Sequence, residues 1–288
     1  MKKPLFTGVC TALVTPFLSD NVNYPLLERL LHRQAEAGIS ACVLSGTTGE
    51  SATLSDAEKL AIFHRAREAV PEGMTLIAGT GSNCTAHAVA LSKAAEDCGA
   101  DALLVVSPYY NKATPQGLFD HYAAIVQAVH IPVIAYNVPS RTGVDIPVEV
   151  YRQLSQLPNM AGVKEASSDI RKIAKIRKVC PDHFCVWCGN DDLAVPALAL
   201  GAKGLISVVS NVEPEMTNAM VIAALDGDFD TACALQLELL PLIDALFKEV
   251  NPIPVKAAMA LIGFDCGICR LPLSTPSRET LDLLKELL

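Results

Sequence analysis

The chain has 288 residues, of which 51% are hydrophobic and 5% aromatic, and its formal net charge is −8 at pH 7. This acidic balance argues against a protein that binds nucleic acid or an anionic membrane surface. No apolar run in the sequence reaches the ~18 residues that a transmembrane helix needs. The aliphatic-rich, aromatic-poor composition is typical of parallel strands that are buried on both faces.

The start of the chain only weakly resembles a secretory signal. Lys2 and Lys3 precede an apolar stretch, but this stretch continues through Thr11 to Pro16 without a small-residue cleavage site. The stretch fits a first β-strand better, so we expect a cytoplasmic protein.

Strand-like apolar runs alternate with helical patterns over the first 226 residues. The predicted strands are 9–14, 41–45, 75–79, 102–107, 132–136, 161–164, 184–188 and 204–208. The predicted helices are 25–37, 56–69, 86–98, 116–129, 148–154, 170–179, 193–200 and 215–225. Because this number of β–α pairs closes a parallel barrel, we predict an α/β fold with a (β/α)8 TIM barrel over residues 1–226.

The strand pattern stops after Asp226, and three helical patterns follow, at 231–250, 254–262 and 276–288. No Pro-rich or Ser-rich linker separates them from the barrel. We therefore predict a C-terminal all-helical extension over residues 227–288 that packs on the barrel.

Two Cys-x-x-Cys pairs, Cys185 with Cys188 and Cys266 with Cys269, could indicate a zinc or redox site. The two pairs are separated by far more than the ~15–20 residues of a zinc ribbon. Residues three apart on a strand also point to opposite faces. We interpret these thiols as small buried hydrophobes, and because the histidines form no close pair we predict no metal.

Lys164 follows the apolar strand segment Met160–Val163. Burial disfavours the charged form of an amine, and an uncharged lysine can form a Schiff base with a carbonyl substrate. The alternative is a lysine at a strand end whose ammonium reaches water.

Further polar groups follow other predicted strands, where the reactive residues of a barrel meet. Gly46-Thr47-Thr48-Gly49, which precedes a predicted helix, could cradle a carboxylate or form an ordinary capping turn. Tyr136 could exchange a proton with an amine or be a core tyrosine. Arg141 could bind a second carboxylate or be a surface arginine, and Tyr109-Tyr110 could form a rim or an interface.

Four motifs occur together and in order: Gly-Thr-Thr-Gly-Glu, Pro-Tyr-Tyr-Asn, Tyr-Asn-Val-Pro-Ser-Arg-Thr-Gly and Gly-Val-Lys-Glu-Ala. With them the chain resembles, over essentially its whole length, the dihydrodipicolinate synthase family of class I pyruvate-dependent aldolases. Arg141 is more specific to these synthases than to the related neuraminate lyases. The resemblance implies condensation of pyruvate with L-aspartate 4-semialdehyde to 4-hydroxy-tetrahydrodipicolinate, a step of lysine and diaminopimelate biosynthesis.

The resemblance also implies residue roles. Lys164 would form the pyruvate imine, and no cofactor would be needed because the imine is itself the electron sink. Thr47, Tyr136 and Tyr110 resemble a proton relay, with Tyr110 donated by a neighbouring subunit of a homotetramer arranged as a dimer of dimers. The residues that resemble the substrate-binding set are Thr48, Arg141, Gly46 and Ile206, the last through its backbone carbonyl.

Members of this family are often inhibited by lysine at a subunit interface. The residues at the matching positions are Ser51, Ala52, Asp56, Lys59, Asn83, His87 and Tyr109. Where the family has an acidic residue this chain has His87, and where it has two histidines this chain has Asp56 and Lys59. A cationic ligand would lose a carboxylate partner and meet a like charge, so we expect weak or absent inhibition by lysine.

Two other functions are compatible with the sequence. One is an N-acetylneuraminate lyase-like or 2-keto-3-deoxy sugar acid aldolase that uses the same imine. The other is a non-catalytic barrel that binds 2-oxo acids, which the presence of Thr47, Tyr110, Tyr136 and Lys164 disfavours.

Overall fold

The computed structural model describes residues 3–288, so Met1 and Lys2, at the start of the predicted barrel region, lie outside the described residues. Its barrel strands are β1 (Gly8–Ala12), β4 (Ala41–Leu44), β5 (Thr75–Gly79), β6 (Ala102–Val106), β7 (Val133–Asn137), β8 (Met160–Glu165), β9 (Cys185–Cys188) and β10 (Gly204–Ser207). They close in the order β1-β10-β9-β8-β7-β6-β5-β4 with parallel pairing, while β2 (Phe17–Leu18) and β3 (Asn21–Val22) form a separate hairpin. The predicted (β/α)8 barrel is confirmed.

Helices connect the strands and form the outer layer. They are α1 (Tyr24–Glu36), α2 (Asp56–Ala69), α3 (Thr85–Asp97), α4 (Pro115–Ala128), α5 (Pro139–Thr142), α6 (Val148–Leu154), α7 (Ile170–Val179), α8 (Ala194–Ala199) and α9 (Pro214–Asp226). The C-terminal extension contains α10 (Phe229–Leu246), α11 (Ile253–Leu261) and α12 (Arg278–Leu287). The short helix α5 lies in a stretch that the sequence pattern left without an element.

Local sequence signals explain where several helices begin and end. Ser55 caps α2 by accepting from the backbone N–H of Glu58, whose side chain accepts from the backbone N–H of Ser55 in return. Gly38 and Gly99 follow α1 and α3 with φ of 77° and 86°, the left-handed conformation that ends a helix and that glycine adopts at little cost.

The core has two layers. Alternate residues of the strands point outward and pack against the helices, while the others fill the barrel interior, where Trp187 lies on β9 and Tyr136 on β7. Position 162 on β8 requires glycine because the backbone of the adjacent strand passes close by. A Cβ there would lie 1.9 Å from the carbonyl oxygen of Cys185.

The C-terminal extension begins at Gly227, which follows α9 with φ of 88°. The division into a barrel unit at 1–226 and a helical unit at 227–288 stays a prediction. Residues of the extension reach back to the loop after β4, where Asn251 contacts Thr48 and Lys256 contacts Glu50. Among the helices of residues 3–288, none has the length and apolar character needed to cross a membrane.

Candidate active site

Four lysines within residues 3–288 are at most 6% exposed. Three of them have a carboxylate partner, and the fourth, Lys164, does not. Lys59, Lys172 and Lys256 each form an ion pair with a carboxylate. No carboxylate of the described residues pairs with Lys164, whose Nζ lies 4.5 Å from the ring centroid of Tyr136. A buried amine without a counter-ion is poised for chemistry rather than for stability.

The strands fix the relation between these two side chains. β7 and β8 pair in parallel with Tyr136 opposite Lys164, so both point into the barrel at the same level. Gly189, just after β9, leaves room for the lysine, because a Cβ there would lie 2.9 Å from Cε of Lys164. The tyrosine hydroxyl is thereby on the same side of the barrel wall as the amine.

A cavity of about 650 Å³ opens at this end of the barrel, where the carboxyl ends of the strands meet. From the predicted catalytic and substrate-binding residues, those that line the cavity are Gly46, Thr47, Tyr136 and Arg141. From the predicted regulatory residues, those that line it are Ser51, Ala52, Asp56, Lys59, His87 and Tyr109. The predicted active and regulatory sets therefore share one continuous space in this chain.

The other predicted residues lie near the cavity without lining it. Lys164 is next to it through Tyr136, and Thr48 through the contact with Asn251. Ile206 is fully buried in β10 among the barrel-interior residues. Tyr110 is 89% exposed. The backbone carbonyl oxygen of Asn83 accepts from Nδ2 of Asn111 at 2.8 Å.

The Gly46–Gly49 loop is held between two left-handed residues, Ser45 with φ of 52° and Glu50 with φ of 56°. The helix that the loop precedes is α2, which starts at Asp56 as predicted, and a 3₁₀ turn at Ser51–Thr53 lies between the loop and this helix. The loop's backbone and hydroxyl groups, without the help of a helix dipole, must supply any carboxylate cradle.

Glu50 connects this loop to the C-terminal extension. Its carboxylate is fully buried and accepts from Nζ of Lys256 at 2.8 Å and from the backbone N–H of Arg270 at 2.8 Å. The ammonium of Lys256 also lies 4.2 Å from the ring centroid of Phe17. The sequence reading assigned no role to Lys256, although a lysine in the apolar helix α11 carries the same signal that singled out Lys164.

Asn251 joins the residues predicted to bind the two substrate carboxylates. Its Nδ2 donates to Oγ1 of Thr48 at 2.9 Å, and its backbone carbonyl oxygen accepts from Nη2 of Arg141 at 3.1 Å. Asn251 lines the cavity, and its Oδ1 is buried without a hydrogen-bond partner in the described residues. Such an unsatisfied acceptor indicates a place for a donor from a ligand or water. Sequence reasoning missed this residue, which has no motif around it.

Asp191 is a buried acidic residue to which the sequence analysis assigned no role. Its Oδ2 accepts from the backbone N–H groups of Val208 and Val209, and this fixes the chain just after Ile206. Burial raises the pKa of Asp191 above its ordinary value, while its hydrogen bonds and the nearby Lys164 act in the opposite direction.

The cluster at the predicted regulatory positions is internally paired. Nε2 of His87 lies 2.8 Å from Oδ2 of Asp56, and Nδ1 lies 3.1 Å from Oγ of Ser82. Nζ of Lys59 lies 3.7 Å from Oδ1 of the same aspartate. Burial lowers the pKa of Lys59, and Asp56 partly offsets this effect.

The four Cys-x-x-Cys thiols are free and buried. Burial raises the pKa of Cys188 and Cys266 to about 12 and that of Cys269 to about 11, and it also raises the pKa of Cys185. Raised values describe unreactive thiols. Across residues 3–288, no group of three or more His, Cys, Asp or Glu side chains is placed to hold a metal ion.

Comparisons with known proteins agree with this geometry. Residues 5–288 match the Dihydrodipicolinate synthetase family. A 4-hydroxy-tetrahydrodipicolinate synthase of Acetivibrio thermocellus is 47% identical over 288 residues, which cover 100% of this chain and 98% of that protein. The crystal structure of dihydrodipicolinate synthase from Aquifex aeolicus has a TM-score of 0.96 at 41% identity, covering 98% of this chain and 97% of that one.

A synthase of Cyanidioschyzon merolae, solved with lysine bound, has a TM-score of 0.96 at 37% identity and covers 99% of this chain and 98% of that one. The fold, the barrel lysine and the match along nearly the whole chain thus agree. The chain belongs to the dihydrodipicolinate synthetase family.

Proposed function

We propose that this chain is an enzyme that condenses pyruvate with L-aspartate 4-semialdehyde to give 4-hydroxy-tetrahydrodipicolinate, a step of lysine and diaminopimelate biosynthesis. The observation that carries the proposal is the buried amine of Lys164, which has no carboxylate partner among residues 3–288. It lies 4.5 Å from the ring centroid of Tyr136, beside a cavity that Arg141 lines. Family membership supplies the substrates.

The reaction begins when the Lys164 amine adds to the keto carbon of pyruvate and water leaves, which gives the imine. The protonated imine withdraws electrons, so the methyl group loses a proton and becomes an enamine. The enamine carbon attacks the aldehyde of the second substrate. The amino group of that substrate then displaces lysine from the imine carbon, and the released heterocycle leaves Lys164 free.

Each proton transfer needs a group near the amine. We assign this role to Tyr136, and the strand register that sets it opposite Lys164 supports the assignment. Thr47 lines the same cavity and can pass the proton onward. The imine provides the electron sink, and we propose that no cofactor takes part.

Two carboxylates must be held apart for the condensation. We assign the pyruvate carboxylate to Gly46 and Thr48 in the loop after β4, and the carboxylate of the semialdehyde to the Arg141 guanidinium, which can bind it with two parallel hydrogen bonds. The free Oδ1 of Asn251, between Thr48 and Arg141, is available to the amino group of the second substrate. We propose that the backbone carbonyl of Ile206 faces the site.

We further propose a homotetramer built as a dimer of dimers, in which Tyr110 completes the relay of a neighbouring subunit. The ring of Tyr110 is 89% exposed on a left-handed backbone with φ of 73°, an unusual cost for a tyrosine that serves no contact. Mixing Tyr110→Phe chains with Lys164→Ala chains tests this. Activity should return in the mixed oligomer, because one variant supplies the tyrosine and the other the lysine, and its failure to return would refute the shared site.

Inhibition by lysine should be weak or absent in this chain. Asp56 is already engaged by His87 and Lys59, so an incoming ammonium group meets no free carboxylate and faces a buried cation. Titration of the enzyme with lysine tests this, and strong inhibition at sub-millimolar lysine would remove the proposal.

Substrate turnover tests the function itself. Pyruvate with aspartate semialdehyde should be consumed, whereas N-acetylneuraminate and 2-keto-3-deoxy sugar acids should not be cleaved. Preferred cleavage of a sugar acid would favour a retro-aldolase, and binding without turnover would favour a non-catalytic barrel. We place the reaction in the cytoplasm, which cell fractionation tests.

A further inference from the structure

The side chain of Asn137, fully buried at the end of β7, uses all of its hydrogen-bonding groups. Its Nδ2 donates to Oδ1 of Asp145 at 2.8 Å and to Oε1 of Glu165 at 2.9 Å. Its Oδ1 accepts from the backbone N–H of Ile146 at 3.0 Å. The orientation of the amide is therefore fixed, because the amino group faces two carboxylates and the oxygen faces a donor.

These bonds close a loop that carries Arg141. The chain leaves β7 at Asn137, forms the short helix α5, turns at Gly143 with φ of 70°, and returns to the same asparagine at Asp145 and Ile146. Inside the loop, Oγ1 of Thr142 donates to the carbonyl oxygen of Val144 at 2.9 Å and lies 3.2 Å from that of Val138. A loop with a fixed interior and fixed ends holds its arginine in a fixed place.

The same asparagine connects the loop to β8. Glu165, the residue after Lys164, also accepts from the backbone N–H of Ser167 at 2.9 Å and from the hydroxyl of Tyr151 at 3.1 Å. Lys172 pairs with Asp145, and its Nζ lies 3.8 Å from Oε2 of Glu165. Two carboxylates are thus held together by one amide and one ammonium group.

This cluster lies directly behind the reacting residues. The paired positions on β7 and β8 are Tyr136 with Lys164 and, one step on, Asn137 with Glu165. Successive side chains on a strand point to opposite faces, so the first pair faces the barrel interior and the second faces the surrounding helices. The second pair therefore makes its contacts outside the barrel interior, on the side of the loop that carries Arg141.

We propose that Asn137, Asp145, Glu165 and Lys172 form a clamp, and that this clamp positions the Arg141 guanidinium at the distance from the Lys164 amine that the second substrate requires. The clamp residues touch no substrate; they act through Arg141. The inference rests on the proposed function, because it assigns the second carboxylate to Arg141.

The test is a double-mutant cycle in the purified full-length enzyme. Asp145→Ala releases one end of the loop at a half-exposed position, and Asn137→Ala releases both ends. Glu149→Ala removes an exposed carboxylate that pairs with the neighbouring Arg152 and is the matched control. Each change is made in the wild-type chain and in Arg141→Ala, and kcat/KM for aspartate semialdehyde is compared with the rate of borohydride-trapped pyruvate labelling.

Asp145→Ala should lower kcat/KM for the semialdehyde about tenfold and leave pyruvate labelling within about twofold. In the Arg141→Ala background it should cause no further loss, because the residue it acts through is gone. Glu149→Ala should change neither quantity. If Asn137→Ala fails to fold, Asp145→Ala alone decides the question.

An equal loss in both backgrounds, or a parallel loss of pyruvate labelling, would overturn the clamp and leave a merely structural role. Wild-type turnover is measured first, and it separates the two proposals. A wild-type chain that labels with pyruvate but does not consume the semialdehyde would overturn the proposed function and the clamp together. An additive cycle in an active enzyme would overturn the clamp alone.

Discussion

Replacing Lys256 with methionine should destabilise the fold and loosen the loop that carries Thr47 and Thr48. The substitution removes the ammonium group from Glu50 but keeps an apolar stem against the ring of Phe17. Oε1 of Glu50 then loses its charged partner, while Oε2 keeps the backbone N–H of Arg270.

The magnitude follows from burial. The two side chains are 0% and 3% exposed, so water cannot replace the lost partner. Breaking a buried pair on one side costs about 3–5 kcal/mol, and the remaining bond from Arg270 places this case near 3 kcal/mol. That is a large part of the roughly 5–15 kcal/mol that stabilises a typical domain.

Urea unfolding at equal protein concentration measures this loss. The double variant Glu50→Gln with Lys256→Met should recover much of it, because no unpaired charge stays buried. Glu279→Ala, which removes the partner of the largely exposed pair with Lys248, should have little effect. A Lys256→Met chain as stable as wild type, or a double variant less stable than the single one, would refute this reasoning.

Three further changes have defined outcomes. Gly189→Ala places a methyl group 2.7 Å from Cβ of Ala166 and 2.9 Å from Cε of Lys164. It should lower the melting temperature and slow pyruvate imine formation about 10- to 100-fold, measured by trapping well below that temperature. An unaffected rate would contradict the packing argument. Burial lowers the pKa of His121 from 6.5 to about 4, so the unfolded chain binds a proton more readily than the folded chain. The free energy of unfolding should therefore fall by up to about 3 kcal/mol as pH drops from 6.5 towards 4. Urea unfolding across this range should show this fall in wild type and not in His121→Asn. Asn251→Ala should raise KM for both substrates, and steady-state kinetics with an unchanged KM for each would remove its proposed role.

The sequence was sufficient to predict the barrel and its strand ends. Buried parallel strands are short apolar runs, and β5 over Thr75–Gly79 has the predicted bounds while β8 extends the predicted run by one residue at each end. Because reactive groups of a barrel follow the strands, the same reading led to Lys164, Tyr136 and Arg141. Which of these side chains face one another depends on strand register, and the structure provides that.

Contacts between distant parts of the chain could not be predicted from the sequence. Asn251 meets Thr48 across 203 residues and Lys256 meets Glu50 across 206, and no local period records such a pairing. The hydrogen bonds of Asn137 could not be predicted for another reason. Its partners lie close in sequence, but the bond to Glu165 depends on the pairing of β7 with β8.

The proposed reaction depends on covalent chemistry at the amine of Lys164. Incubation with pyruvate and borohydride, followed by peptide mapping in a mass spectrometer, should find one reduced pyruvate adduct on Lys164 and none on the ion-paired Lys59, Lys172 or Lys256. The adduct and turnover should both be lost in Lys164→Ala. Turnover of both substrates by an enzyme whose Lys164 stays unmodified under these conditions would contradict the mechanism.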